Sequence, residues 1–337
     1  MKIITLDDLT ELLERVGLQN FLAMTIRAIE ADLQRWDQLN KSPRHATHYP
    51  FGVIELMPCS DNEFYAFKYV NGHPGNPVAG KLSVVGLGVI ADAHSGYPLL
   101  LSEMTLLTAI RTAATAGLAA KYMARLDSEH IAMIGTGAQS EFIIQAMRTV
   151  LPVREVSYFD TDTEAMAKFS RNLASAVPTL RPCASIEQAV AGADVIVTAT
   201  AAKQHAGLIS MQHIEPGMHL HAMGGDCPGK TEFAEGVLEN CTVVVEYLEQ
   251  SLLEGEVQNT QPEVVHAELW ELACGSKTGR GSDEDITLFD SVGFAVEDFS
   301  ILKLVYQLSQ QLEIGHSLPM IPGPSDPKDL YGLVSSD

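Results

Sequence analysis

The clearest indication of the fold of this 337-residue chain is the stretch His130-Ile-Ala-Met-Ile-Gly-Thr-Gly-Ala-Gln-Ser-Glu141. Its apolar run from Ile131 to Ile134 is typical of a buried parallel strand. Gly135 and Gly137 follow at once in the pattern Gly-x-Gly-x-x-Ser, where Ser140 takes the place of a third small residue. Gly135 permits a tight turn, and Gly137 permits a pyrophosphate to approach the backbone. The stretch therefore predicts a dinucleotide-binding turn between a strand and a helix.

A second predicted strand, from Val156 to Phe159, ends at Asp160, which lies 23 residues after Gly137. In dinucleotide-binding units an acid at this distance accepts hydrogen bonds from the adenosine ribose. A helix starting near Ala138 would point its N-terminus at the pyrophosphate. The acid favours NAD over NADP, because the 2′-phosphate of NADP would meet a negative charge. The whole combination favours a bound NAD over a purely structural glycine turn.

After this turn the chain alternates strand and helix up to about residue 295. Further strands are expected at residues 194–200, 219–223, 242–246 and 286–290. This regular alternation indicates a doubly wound parallel sheet of the Rossmann type, in which ligands bind at the carboxyl ends of the strands. Thr200 and Ser291 fall at such ends, so both are candidate ligand contacts.

The first part of the chain has a different character. Residues 1–40 predict two helices, the first capped by Asp7 or Asp8 and the second ending at Leu39. Short apolar segments separated by Gly, Pro and Asn turns predict a meander of four strands at residues 53–57, 65–70, 84–91 and 99–101. An Ala-rich helix at 103–126 then leads into the dinucleotide unit. A last helix at 295–312 precedes a Pro/Gly/Ser-rich tail that we expect to be loosely ordered.

These segments predict an α/β protein of two domains. A Rossmann-type doubly wound parallel sheet domain, binding NAD, is expected over residues 118–299. An α+β domain that binds the substrate is expected from residues 1–117 together with residues 300–337.

The composition narrows the class of protein. With 22 Lys and Arg against 43 Asp and Glu, the net charge is −21. This charge argues against nucleic acid or an anionic membrane as a partner, and it is compatible with a cationic small substrate. Five cysteines without a Cys-x-x-Cys pair suggest free thiols in a reducing cytoplasm. We see no signal-peptide pattern and no apolar run long enough to span a bilayer.

Charged side chains inside apolar segments are the candidate site residues. Glu55 and Lys68 interrupt predicted strands, and each is either an outward residue of an alternating strand or part of a substrate site. Arg111 lies in the Ala-rich helix, where it needs a carboxylate from the protein or from a ligand. Arg44 adds a third cation, and Asp226, held between glycines at a strand's carboxyl end, is a candidate acid/base. Three cations for an α-carboxylate and an acid, Glu55, for a distal ammonium suit an amino acid substrate.

The segment Gly224-Gly-Asp-Cys-Pro-Gly-Lys-Thr231 also matches the phosphate loop of nucleotide triphosphatases. We consider this match accidental, because the backbone amides of such a loop wrap the phosphates and Pro228 has no amide to donate. His219 and His221 share one strand face without a third ligand at metal-site spacing, so we assign no metal.

The chain resembles the ornithine cyclodeaminase/mu-crystallin family over nearly its whole length. The segments that carry this resemblance are Gly52-Val-Ile-Glu-Leu-Met-Pro58, Tyr65-Ala-Phe-Lys-Tyr-Val-Asn-Gly-His-Pro74, Arg111-Thr-Ala-Ala-Thr115, Gly137-Ala-Gln-Ser-Glu-Phe142, Gly224-Gly-Asp-Cys-Pro-Gly-Lys-Thr-Glu232 and Phe289-Asp-Ser-Val-Gly-Phe294. The resemblance implies NAD-dependent conversion of L-ornithine to L-proline and ammonia without net redox change. The α-hydride would pass to NAD⁺, the δ-amine would attack the resulting imine, ammonia would leave, and the hydride would return to the cyclic imine.

The resemblance also implies roles for individual residues. Arg44, Lys68 and Arg111 would bind the substrate carboxylate, Asp226 would be the proton donor and acceptor, and Glu55 would contact the δ-amine. Val292 would line the substrate pocket. Contacts to NAD would come from Ser83, Arg111, Gly135, Gly137, Ala138, Gln139, Asp160, Thr200, Leu220, His221, Ala222, Met223, Lys230 and Ser291. The family further implies a homodimer, formed through the substrate domain with the last helix.

Several alternatives remain open. Within the family the activity could be lysine cyclodeamination, reduction of a ketimine or of Δ1-pyrroline-2-carboxylate, or amino acid dehydrogenation. One methylene separates ornithine from lysine, and the sequence does not decide between them. A reductase has no need of a partner for a distal ammonium group, so Glu55 favours cyclodeamination. Two further alternatives lie outside these activities, a triphosphatase and a non-catalytic binding protein. The Asp226 loop argues against the binding protein.

Overall fold

A computed structural model describes residues 1–201, 205–225 and 227–335. Its strands are β1 Lys2–Ile4, β2 Asn40–Lys41, β3 His45–Tyr49, β4 Gly52–Ser60, β5 Phe64–Gly72, β6 Gly86–Asp92, β7 Pro98–Glu103, β8 His130–Ile134, β9 Glu155–Phe159, β10 Thr179–Pro182, β11 Val195–Thr198, β12 His205–Ile209, β13 His219–Ala222, β14 Thr231–Phe233, β15 Thr242–Val245, β16 Val265–Glu268, β17 Thr287–Asp290 and β18 His316–Ser317. Its helices are α1 Leu6–Val16, α2 Leu18–Leu33, α3 Thr105–Met123, α4 Ser140–Met147, α5 Thr163–Leu173, α6 Ile186–Val190, α7 Leu248–Ser251, α8 Leu269–Ala273 and α9 Ala295–Gln311.

The first sheet has the strand order β18-β1-β7-β6-β5-β4-β2, with β3 paired to β4. Strands β4 to β7 form the expected antiparallel meander. Sequence patterns missed β1, β2, β3 and β18. Strand β3 is exposed along its whole length, so it lacks the alternation of apolar and polar residues that marks a half-buried strand.

The N-terminal helices differ from expectation at their ends. Thr5, not Asp7 or Asp8, caps α1: its hydroxyl accepts from the Asp8 amide, and the Asp8 carboxylate accepts from the Thr5 amide at 2.8 Å. The acid therefore completes a capping box from the third helical position. Helix α2 ends at Leu33, and residues 36–38 form a separate 3₁₀ turn, so the second helix is shorter than predicted.

The second sheet is wholly parallel, with the order β10-β9-β8-β11-β13-β17-β15-β16. The chain starts in the middle at β8, proceeds outward to β10, and then returns to build the other half from β11. This order confirms the predicted doubly wound sheet. The short edge strands β10 and β16 were not predicted, because neither carries a continuous apolar run.

Two helices join the sheets. Helix α3 contacts β6 of the first sheet and β13 and β17 of the second. Helix α9 starts five residues after β17 and packs across β4, β5 and β6, and against α2 and α3. The expected domain limits at residues 117/118 and 299/300 fall inside these two helices, and the division into domains stays a prediction. Through α3 and α9 the two sheets share one apolar core.

Two further observations concern the surface. The segment after α9 is mostly exposed, and β18 within it pairs with β1 at the edge of the first sheet. Within the described ranges, no helix is both long and apolar enough to cross a membrane.

Candidate functional site

The glycine turn after β8 has the geometry that the sequence predicts. Gly135 has φ +94°, and a Cβ on it would lie 2.5 Å from the carbonyl oxygen of Ala199. A larger residue is therefore excluded by both conformation and space. At Gly137, by contrast, no atom lies within 4 Å of the place where a Cβ would stand. Helix α4 begins at Ser140 rather than near Ala138, which leaves an open concave turn before it.

Asp160 lies directly beside this turn. The Gly135 amide donates to the Phe159 carbonyl at 2.9 Å, which brings the end of β9 against the end of β8. The Asp160 carboxylate accepts from the Thr136 amide at 2.6 Å and from the Asp162 amide at 3.0 Å. The acid is thus fixed at the rim of the turn, where the sequence analysis places the ribose contact.

Backbone hydrogen bonds connect the carboxyl ends of the neighbouring strands. The Ala199 amide donates to Ile134, the Met223 amide to Thr198, and the Ser291 amide to Ala222, at 2.8 to 3.0 Å. Strand β11 ends at Thr198, so Thr200 lies two residues past the strand rather than on its last position. These bonds place the segments that follow β8, β11, β13 and β17 along one continuous edge.

The predicted cofactor contacts of β13 are buried within the sheet. Leu220, His221 and Ala222 are each 0% exposed, and only Met223 beyond the strand is partly exposed. A contact to a dinucleotide from the three strand residues would therefore use their backbone. Burial lowers the pKa of His221 to about 3, so its ring is neutral, and His219 Nδ1 lies 2.9 Å from Thr287 Oγ1. Both are core histidines.

Ser83, a predicted contact to NAD, belongs to a loop of the first sheet rather than to the parallel sheet. Ser83 lies in the loop before β6, where its carbonyl accepts from the His73 amide at 2.8 Å. Its predicted contact with NAD stays a prediction. Asp226, the predicted proton donor and acceptor, lies outside the described residues.

The residues after Asp226 exclude the phosphate-loop alternative. A phosphate loop is followed by a helix that starts at its Lys-Ser/Thr pair. Here Lys230 is followed by strand β14, from Thr231 to Phe233, which pairs in parallel with β12. The triphosphatase interpretation is therefore wrong, and the match to its motif is accidental.

Strand β14 instead brings an unpredicted acid to the edge. The buried Glu232 carboxylate accepts from the Thr200 amide at 2.8 Å and from the Thr200 hydroxyl. Behind it, Glu256 accepts from the Glu232 and Phe233 amides at 2.7 and 3.1 Å. Burial, together with the charge of Asp290, raises the pKa of Glu256 to about 8. These acids fix the loop that carries Thr200.

The Arg44 guanidinium lies between two acids and the turn after β17. Its Nη2 donates to the carbonyl oxygens of Val292 at 2.6 Å and Gly293 at 2.8 Å. Its Nη1 donates to both Glu55 oxygens at 3.2 Å and lies 3.5 Å from the Glu254 carboxylate. Burial lowers the pKa of Arg44, but Glu254 and Glu55 raise it more, so the net shift is upward.

Lys68 and Arg111 share acids from the first turn of α9. Lys68 Nζ lies 2.8 and 2.9 Å from the two oxygens of Asp298. Arg111 Nη1 donates to Glu297 Oε2 at 2.6 Å, and Arg111 Nε lies 2.9 Å from Asp298 Oδ1. All four side chains are buried. Lys68 on β5 and Arg111 on α3 are thereby held next to each other.

The surroundings shift the pKa values of Lys68 and Arg111 in opposite directions. Burial, aided by the positive charge of Arg111, lowers the pKa of Lys68 to about 8, although Asp298 opposes the shift. For Arg111, burial also acts to lower the pKa, but Asp298 and Glu297 outweigh it and the net shift is upward. Arg111 is therefore permanently charged, whereas Lys68 titrates within the range in which enzymes are commonly assayed.

The turn after β17 lies against the two arginines of the site. The Ser291 hydroxyl and the Val292 amide donate to the carboxylate of Glu246, at 2.9 and 2.8 Å. Gly293 has φ +80°, and a Cβ on it would lie 2.6 Å from Arg111 Nη1. Only glycine lets the guanidinium pack against this backbone. Arg111 and Arg44 thus both contact the turn that holds Val292.

The structure therefore links Arg44, Glu55, Lys68, Arg111 and Val292 in one series of contacts, while their roles stay predictions. Sequence reasoning missed the acids that hold them, which are Glu246, Glu254, Glu297 and Asp298, and it also missed Glu232, which holds Thr200. Sequence patterns that indicate some of these acids do exist. An arginine in an apolar helix requires a carboxylate, and acids are favoured in the first turn of a helix and at the carboxyl end of a buried strand.

Comparisons with known proteins place this arrangement in context. Over 331 residues the chain is 48% identical to an ornithine cyclodeaminase from Agrobacterium tumefaciens (strain Ach5), covering 98% of this chain and 93% of that protein. A solved lysine cyclodeaminase, described for its recognition of L-lysine, L-ornithine and L-2,4-diaminobutyric acid, superimposes with a TM-score of 0.91 at 28% identity, covering 99% of each chain. An archaeal alanine dehydrogenase dimer with bound NAD gives 0.88 at 30% identity, covering 95% and 99%.

The family itself follows from a match along most of the sequence. A sequence model of the ornithine cyclodeaminase/mu-crystallin family matches residues 7–312. A relative that is 48% identical over nearly the whole chain supports the same assignment. The chain is a member of the ornithine cyclodeaminase/mu-crystallin family.

Proposed function

We propose that this protein is an NAD-dependent ornithine cyclodeaminase, which converts L-ornithine to L-proline and ammonia. One observation carries the proposal: Arg44, paired with the buried acid Glu55, lies beside the turn of Val292, and the buried cations Lys68 and Arg111 adjoin the same turn. That turn follows β17, on the same sheet edge as the glycine turn. The similarity to cyclodeaminases supports the choice of reaction.

The glycine turn fits NAD as the cofactor. The open space at Gly137 and the α4 N-terminus beyond it suit a pyrophosphate, and Asp160 suits an adenosine ribose without a 2′-phosphate. Buried Gln139 Oε1 has no hydrogen-bond partner among the described residues, which leaves it available to a ligand. When bound, NAD supplies a hydride acceptor, and in its reduced form a hydride donor, at the substrate's α-carbon.

Two arginine N–H groups that have no hydrogen-bond partner among the described residues support binding of the substrate carboxylate by the cations. Arg44 Nε and Arg111 Nε are buried and make no hydrogen bond within the described part of the chain. A buried, unpaired N–H of a charged group is costly, and a carboxylate that accepted from it would remove that cost. We assign the α-carboxylate of the substrate to Arg44, Lys68 and Arg111.

The ion pair between Arg44 and Glu55 favours a substrate with two charged ends. When Arg44 also receives the substrate carboxylate, two negative groups share its one positive charge, which leaves the buried Glu55 incompletely paired unless another cation approaches it. The δ-ammonium group of ornithine is such a cation. Alanine or a cyclic imine has none, so cyclodeamination uses Glu55 and simple dehydrogenation or reduction does not.

Proton transfer requires a further residue. A hydride leaves the α-carbon only when the α-amine is neutral, so a base must accept a proton from it, and the same group can return the proton when ammonia leaves. We assign this role to Asp226 on the resemblance of its loop to the family motif. Enclosure by the acids and cations of the site would keep water from the bound imine.

We further propose that the protein is a homodimer formed through the first sheet. Leu56, Tyr69 and Leu87 are direct neighbours across β4, β5 and β6, and they are 45%, 36% and 51% exposed. A continuous apolar row on an open sheet face is typical of an interface. Sedimentation of the pure protein as a monomer at micromolar concentration would contradict this.

We place the enzyme in the cytoplasm. All five cysteines lie within the described residues, and none of them forms a disulfide. Free thiols are typical of a reducing compartment. Localisation of the tagged protein outside the cytoplasm in its native host would contradict this assignment.

Glu55→Gln tests the assignment of the distal ammonium. We expect kcat/KM for ornithine to fall roughly a hundredfold or more, since a buried charge-assisted hydrogen bond is lost. Reduction of Δ1-pyrroline-2-carboxylate by NADH, measured on the same preparation, should fall less than about tenfold, because this substrate has no distal ammonium. The second reaction controls for folding and NAD binding. Equal losses in the two reactions would remove Glu55 from the δ-amine site.

A further inference from the structure

The first turn of α9 contributes two acids to the interior of the substrate site. Glu297 and Asp298 are 3% and 1% exposed, although both are charged residue types. They lie near the N-terminus of a 17-residue helix, where the helix dipole stabilises negative charge. The helix begins just after the turn of Val292 and Gly293, so its first turn lies beside the cations of the predicted substrate site. None of the segments that carry the family resemblance includes these two acids.

Asp298 is the common partner of two cations from different elements. Its two oxygens lie 2.8 and 2.9 Å from Lys68 Nζ, and Oδ1 also lies 2.9 Å from Arg111 Nε. The contact with Arg111 is an ion pair without hydrogen-bond alignment, so Arg111 Nε keeps its donor capacity. Glu297 contacts Arg111 alone among these cations, through Nη1 at 2.6 Å.

We propose that Asp298 is a positioning residue of the substrate site, which holds the Lys68 ammonium and the Arg111 guanidinium side by side so that together they receive the substrate's α-carboxylate. The inference rests on the proposed function only in that these two cations bind a carboxylate. Without Asp298 the two like charges would repel each other within a buried site, and the nearest relief would be loss of the Lys68 proton.

The charges around Lys68 make this consequence measurable. Lys68 faces Asp298 from α9, Arg111 from α3 and Arg44 from the segment before β3, so one negative charge opposes two positive ones. Burial and Arg111 already lower the pKa of Lys68 to about 8. Removing the only acid among these groups lowers it further. A neutral Lys68 attracts a carboxylate less strongly, so substrate binding weakens at a lower pH than in the wild type.

The test is Asp298→Asn, assayed as KM and kcat for ornithine from about pH 6 to about pH 9. We expect KM to rise roughly tenfold near pH 8 while kcat changes less than about threefold. The alkaline limb of kcat/KM should move to lower pH by about one unit or more. Pentanoate, a carboxylate without an amine, should show the same shift in its inhibition constant, which excludes titration of the substrate itself. An unshifted alkaline limb, or a loss confined to kcat, would overturn the proposal.

Asp32→Asn is the matched control. Asp32 is a buried acid of α2 that pairs with Lys303 of α9 at 2.8 Å and with Arg35 at 2.6 Å, away from the site. Its loss should lower thermal stability as a buried ion pair does, without moving KM or the pH profile. If Asp32→Asn shifted the alkaline limb as Asp298→Asn does, the shift would reflect general destabilisation and the proposal would be wrong.

A second variant covers the case in which Asp298→Asn does not fold. Asp298→Glu keeps the charge but moves the carboxylate by one methylene, so we expect a higher KM with the alkaline limb unchanged. An unchanged KM in Asp298→Glu would overturn the proposal. Failure of the proposed function is a separate result, because it would appear in the wild type as the absence of ammonia release from ornithine.

Discussion

Asp226→Asn is expected to lower the turnover of ornithine by roughly a thousandfold or more while leaving the affinity for NAD within about threefold of the wild type. The substitution keeps the size of the side chain and removes its ability to accept a proton. Without a base, the α-amine stays protonated and the hydride cannot leave the α-carbon. The measurement is ammonia release under saturating ornithine, beside NAD affinity from quenching of protein fluorescence.

The same variant separates the enzyme from a binding protein. If Asp226 served only to shape the loop, Asn in its place would lower NAD affinity and turnover together. Turnover of Asp226→Asn above about a tenth of the wild-type rate would exclude Asp226 as the proton acceptor. In that case another acid at the sheet edge would have to take the role, and Glu232, held against Thr200, would be the first to test.

Gly137→Ala is expected to weaken NAD binding by roughly tenfold or more, or about 1.4 kcal/mol, without lowering the melting temperature. In the protein alone a Cβ at this position meets no atom within 4 Å, and the backbone is not in the left-handed region. Gly→Ala at such a position tends to stabilise the fold. With NAD bound, the methyl group would stand where the pyrophosphate approaches the backbone.

Two other glycines calibrate this result. Gly75→Ala also meets no atom within 4 Å, so like Gly137→Ala it should not lower stability, and it should leave NAD affinity unchanged. Gly135→Ala should destabilise the fold by about 1–3 kcal/mol, because φ is +94° and the Cβ would press on Ala199. If Gly137→Ala bound NAD as tightly as Gly75→Ala does, the glycine turn would not be the pyrophosphate site.

The architecture was largely predictable from the sequence because its strongest elements are buried and regular. The runs at residues 131–134 and 243–245 are apolar on both faces, which is typical of strands in a parallel sheet covered on both sides. Elements whose stability comes from pairing alone escaped prediction. Strand β3 is exposed throughout, and the two-residue β18 exists only as a partner of β1. Their residues carry no periodic apolar pattern to detect.

The cations of the candidate site could be singled out from the sequence, but their partners could not. Arg111 stands out because an arginine in an apolar helix is costly, and Lys68 stands out for the same reason in a strand. Which carboxylate pairs with each depends on where α9 crosses the first sheet, and no local pattern specifies that crossing. Glu297 and Asp298 follow Arg111 by more than 180 residues in the chain. Only the tertiary structure shows that these acids reach the same point.

In a cyclodeaminase a hydride leaves the substrate's α-carbon and returns to the same carbon within one binding event. The most direct test is to incubate the pure protein with NAD⁺ and L-ornithine deuterated at the α-carbon, and to analyse the products. We expect ammonia and proline in equal amounts, deuterium retained at the α-carbon of proline, and no accumulation of NADH. Accumulation of NADH in step with ammonia, or proline without deuterium, would contradict this expectation.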